Sequence, residues 1–209
     1  MGTPSLLCTD CYTPPVRPTA LLPVAVAAVL AATPLVLAYR EGPLPAMTGG
    51  FGEETCAKCH FDHPLNDPGG SLTINGLPET VEAGREYAIT IAVTHAATKR
   101  AGFELSARHA DGPDIGTQAG TFRAPDARTQ IVTAPGGTIQ YIQHTKLGSD
   151  VTGPNEGTWT IYWKAPSPSV GRIIFHAAAN AANDDESALG DSIYTASRLA
   201  HSPGLRPSR

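Results

Sequence analysis

The sequence predicts an all-β chain built as an antiparallel β-sandwich, and three observations predict it. From Ser71 onward, apolar and polar residues alternate with period two. Clusters of Gly, Pro, Asn and Ser punctuate those runs at regular spacing, and no long amphipathic helical pattern interrupts them. Composition agrees: the chain holds 21 Gly and 19 Pro in 209 residues, while only 16% are charged and 6% aromatic.

Each element follows in order. Tyr87, Ile89, Ile91 and Val93 share one face of a strand, with Thr90, Ala92 and Thr94 on the other. Phe103 and Leu105 repeat the pattern. Ile139 and Tyr141 repeat it more weakly, because Ile142 falls on the opposite face. Trp159, Ile161 and Trp163 form the clearest face, and same-face aromatics of that size read as core. Ile173, Phe175 and Ala177 close the series. Turn residues separate the runs at Gly69–Gly70, Ala83–Gly84, Gly112–Pro113, Pro135–Gly137, Pro154–Gly157 and Pro166–Pro168. The pattern amounts to about eight short strands. Asn180–Asp191 joins two strands, and its Asp184, Asp185, Glu186 and Asp191 read as a solvated turn-rich loop, since no EF-hand spacing for Ca²⁺ is present.

Five regions are expected. Residues 1–19 form a polar, Pro-rich leader. Residues 20–39 are a charge-free apolar run, long enough at helical rise to reach across a bilayer core. Val36–Leu37–Ala38 offers the small residues a signal peptidase requires. A cleaved signal peptide and an uncleaved N-terminal anchor helix both fit. Either places the rest of the chain in the periplasm, soluble or anchored to the inner membrane. Residues 40–70 are a loop-like segment, 71–197 the sandwich and 198–209 a polar tail. The net charge of −4, with no basic run, argues against a nucleic-acid partner. No nucleophile elbow, phosphate loop or marked carboxylate pair points to an enzyme.

The four cysteines form two pairs of equal spacing. Cys8 and Cys11, with no histidine after them, read as an incidental pair in the leader. The second pair lies in Cys56-Ala-Lys-Cys59-His60, the spacing of c-type haem attachment. Two thiols two residues apart reach the two vinyl groups of one haem c, and the histidine that follows is placed under the iron as proximal ligand. A zinc site would need two further ligands, of which His63 is a candidate. A redox dithiol would begin a helix after a strand, and nothing strand-like precedes Cys56. For the distal ligand the candidates are Met47, the sole methionine after Met1, and His63, His95, His109, His144, His176 and His201. His63 follows His60 too closely to reach the opposite haem face. His144, in the strand-like Tyr141–Thr145, is favoured among the histidines.

The stretch from Gly69 to Ser197 resembles the reelin-type (reeler) domain. The resemblance lies in Tyr141-Ile-Gln-His-Thr145, Trp159-Thr-Ile-Tyr-Trp-Lys-Ala-Pro166, Val170–Asn183 and Gly190-Asp-Ser-Ile-Tyr-Thr195. Gly52–Asn66, with its CxxCH, is similar to the entry into such a domain in a group of exported bacterial proteins. The resemblance implies an immunoglobulin-like sandwich and no particular reaction. The resulting expectation is an exported monohaem cytochrome that passes single electrons to a redox partner protein or membrane redox complex, with Lys58 helping to orient the partner. The rival expectations are a docking module on a membrane complex, with haem absent or secondary, and a haem sensor or peroxidase with an open iron site.

Overall fold

A computed structural model describes residues 39–168 and 170–203. The leader, Cys8, Cys11 and residues 20–38 lie outside them. Among the described residues no helix is long and apolar enough to cross a membrane.

Among the described residues nine strands make two antiparallel sheets, as the period-two pattern predicts. β1 (Gly70–Asn75), β2 (Glu86–His95), β7 (Glu156–Lys164) and β4 (Thr121–Arg123) form one sheet in that order. β5 (Thr129–Val132), β6 (Tyr141–His144), β3 (Arg100–His109), β8 (Gly171–Ala182) and β9 (Ser192–Ser202) form the other. β9 runs to Ser202, so residues 198–202 of the expected tail belong to the sheet.

The core lies between the sheets. Ile89, Ile91, Val93, Ile161 and Trp163 face Phe103, Leu105, Ile173 and Phe175, all of them shut off from solvent. Each such side chain contributes roughly 1.5–3 kcal/mol through burial. Phe103 packs on Trp159 with ring centroids 4.6 Å apart, and Trp163 meets Phe175 edge-on at 4.9 Å. Both indole N–H groups are satisfied: Trp159 donates to Gly148 O at 2.8 Å and Trp163 to Ala119 O at 3.0 Å.

β3 departs from simple alternation, because all but its first residue is buried. Phe103, Leu105 and Ala107 enter the core. Glu104, Ser106 and Arg108 point the other way and are covered by the segment that precedes β1, while His144 covers Gly102. Met47 N donates to Glu104 Oε2 at 2.6 Å, and Thr48 Oγ1 lies 3.4 Å from Ser106 Oγ. Glu53 is ion-paired with Arg108, Arg108 donates to the Tyr141 hydroxyl at 2.6 Å, and that hydroxyl donates to Glu53 Oε1 at 2.6 Å. Gly50 lies on His176, whose ring would stand 2.5 Å from any Cβ at that position. Further on, Asn66 N donates to Ile193 O at 2.8 Å and Asn66 Oδ1 accepts from Thr195 N at 2.8 Å, binding the segment to β9. The expected loop-like stretch is thus a third layer on the outer face of the five-stranded sheet.

Candidate cofactor site

Cys56, Cys59 and His60 occupy one tight turn. The Thr55 hydroxyl caps it, accepting from Ala57 N at 3.2 Å. Cys59 N and His60 N both donate to Cys56 O, at 3.2 and 3.0 Å. The two thiols and the imidazole therefore issue from a single turn, which packs against β8. Both cysteines are free. Burial, and secondarily the Glu104 carboxyl, pushes the Cys56 thiol up to about 12. It is protonated at neutral pH, the opposite of what a redox dithiol requires.

His60 is fixed by a residue 131 positions downstream. Asp191, 1% exposed, places Oδ2 2.7 Å from His60 Nδ1. The same oxygen accepts from Asn180 Nδ2 at 3.0 Å, and Oδ1 accepts from Asn183 N at 3.1 Å. A carboxylate at that position holds the proton on Nδ1 and leaves the Nε2 lone pair for a metal. Asn180 Nδ2 also lies 3.3 and 3.4 Å from the two ring nitrogens, and Asn180 Oδ1 is buried with no partner among the described residues.

The acidic loop is therefore not uniformly solvated, as its composition suggested. Asp191 turns inward because it immediately precedes β9, whose first three residues are buried. The other acids remain outside: Asp184 pairs with Arg40 at 3.0 Å and Arg100 at 3.1 Å, and Asp185 accepts from Ser187 N at 2.9 Å. They do not converge, and among the described residues no three His, Cys, Asp or Glu side chains group around one point.

The turn forms one wall of an open cleft. Cys56, Cys59, His60, Met47 and His144 all line it, with Leu44 and Phe103 among its apolar walls and Arg40 and Arg100 at its charged rim. His144 ends β6 and lies over Gly102, where a Cβ would stand 2.4 Å from its Cε1. Its Nδ1 is 3.1 Å from Phe103 N and 3.3 Å from Phe103 O. Burial pushes it down to about 4, so the ring is neutral at pH 7.

The remaining histidines are elsewhere. His63 does not line the cleft, and its Nδ1 is 3.2 Å from Ser192 Oγ. His95 lies against Tyr194 with ring centroids 6.3 Å apart. His109 ends β3, His176 packs edge-on against Phe51, and His201 lies near the end of β9.

Taken as a donor set, the cleft fits haem c. It offers two thiols and an Nε2 from one turn, a neutral imidazole and a thioether on its other walls, and an unpartnered amide oxygen within.

A model of the Reeler domain matches residues 54–184. The chain belongs to the Reeler domain family. The match begins just before the CxxCH turn and ends before Asp191. Among solved structures, the human F-spondin reeler domain is similar at 19% identity, covering 68% of this chain and 95% of that one, with a TM-score of 0.44. The Reelin-N domain of F-spondin is similar at 18% identity, covering 70% and 96%, with a TM-score of 0.43. A cohesin module from a Clostridium perfringens glycoside hydrolase follows at 12%, covering 63% and 95%, with a TM-score of 0.39. No curated protein matches the chain.

Proposed function

We propose that this Reeler-family protein is an exported monohaem c-type cytochrome that transfers single electrons, as a free carrier or as a subunit of a membrane redox complex. The observation that carries the reading is the convergence of Cys56, Cys59, His60, Met47 and His144 on one cleft from separate parts of the chain. Haem c bound there supplies one-electron exchange. The chain's own residues do the rest. Cys56 and Cys59 would anchor the group, and His60 together with His144 or Met47 would hold its iron.

The test is expression of the whole chain with a c-type maturation system, followed by a pyridine haemochrome spectrum and a haem-stained denaturing gel. About one covalent haem per chain is expected. Replacing both thiols (Cys56→Ser with Cys59→Ser) should abolish it, and haem resistant to acid–acetone in that variant would sink the site assignment.

Family membership favours a second reading, in which the sandwich is a docking module. Phe61, Leu65 and Leu189 stand exposed on the side of His60 and Asp191, where Gly190 N donates to Asp62 Oδ2. A chain that folds without covalent haem, yet co-purifies with a membrane complex through Phe61, would favour that reading over electron transfer.

A further inference from the structure

Asp191 is a buried carboxylate with three donors and no permanent cation among them. His60, Asn180 and Asn183 surround it, while the nearby arginines, Arg40 and Arg100, are both taken by Asp184. Burying a charge in this way is costly unless an opposite charge compensates it. The one group in its shell able to pass positive charge toward it is the His60 ring, whose far nitrogen, Nε2, has the Asn180 amide 3.4 Å away and lines the cleft. A carboxylate on Nδ1 makes such an imidazole a stronger donor.

We infer that Asp191 is a positioning residue which holds His60 as an electron-rich axial ligand and biases the bound iron toward its ferric state, so that the protein is a low-potential carrier. This rests on the haem reading above. The redox step adds one electron, taken from a one-electron donor, and makes or breaks no bond. The Nδ1 proton stays between imidazole and carboxylate throughout. What changes is the net charge beside Asp191, which falls by one on reduction, and a buried anion opposes that change.

The loop is built to keep this contact in register. Asn180, on β8, and Asn183 N, at the start of the connection, each hold one oxygen of Asp191, so the carboxylate cannot swing away from the ring. Asn180 also competes with His60 for Oδ2. Weakening that competitor should therefore strengthen the His60 bond.

Spectroelectrochemical titration of the full-length, haem-loaded protein decides the matter. Asp191→Asn should lower the ferric-to-ferrous ratio at fixed potential at least tenfold, an upward midpoint shift of 59 mV or more for a one-electron couple. Asp191→Glu, which keeps the charge, should recover part of that shift. Asn180→Ser should move the midpoint the other way, and it decides the question if Asp191→Asn does not load or fold. A loaded Asp191→Asn protein with the wild-type midpoint overturns the role of Asp191 alone. So does an Asn180→Ser midpoint that is unchanged or raised. A folded wild-type chain with no covalent haem overturns the underlying reading instead.

Discussion

His144 carries two consequences that meet at one ring. It is buried and neutral, and its place exists only because residue 102 has no Cβ. Under the proposed haem reading, His144 as a second iron ligand would give a low-spin spectrum that changes on His144→Ala, while an unchanged spectrum would leave Met47. In the cofactor-free chain its depressed value, about 4 against 6.5, predicts an acid limb in stability. The folded state binds fewer protons there, so the contribution is complete above pH 6.5. It is lost as pH falls toward 4, by up to about 3 kcal/mol. Urea titrations of wild type and His144→Phe should differ in that window. The motif residues were legible because the chemistry demands fixed spacing, so Cys56, Cys59 and His60 announce themselves. Asp191 was not, because its role depends on a contact across 131 positions, and an acid among Asn, Asp and Gly has the composition of a turn.

Strands β2, β7 and β8 could be read from alternation alone, since a two-layer sandwich buries one face of each. β3 could not. Its outward residues Glu104, Ser106 and Arg108 are polar because the covering layer meets them with Met47 N, Thr48 and Glu53. In sequence they look like a solvated face. Burial there pushes Glu104 up to about 8 from the ordinary 4.5. A raised carboxyl gives its full contribution below pH 4.5 and loses it as pH rises through 8. Glu104→Gln should therefore leave acid stability nearly unchanged. Above pH 8 it should stabilise the chain by up to about 4 kcal/mol, as read by denaturant midpoints across pH.

At the scale of the molecule, the core and the cleft lie on opposite faces of one sheet. The core is filled by Trp159, Trp163, Phe103 and Phe175 from the two sheets, whereas the cleft draws on the outer face, the covering layer and the β8–β9 connection. Folding and cofactor loading should separate accordingly. The Cys56→Ser, Cys59→Ser chain should keep the wild-type far-UV spectrum and a single cooperative thermal transition, and loss of that transition would show that the third layer is needed for the core. The last strand was not legible in sequence, because Ser197, Arg198 and Ser202 sound like a tail but pair with β8.

The turn with the thiols stands at residues 56–60, while Asn180 and Asp191 come from the last two strands. Synthesis runs from the N-terminus, so the thiols emerge before Asn180 and Asp191. In the proposed cytochrome, an attachment apparatus would meet them on a chain whose later strands have not yet arrived. The wall that seals His60 is delivered last, so under that proposal the order of synthesis would leave the turn open to the cofactor and then shut it.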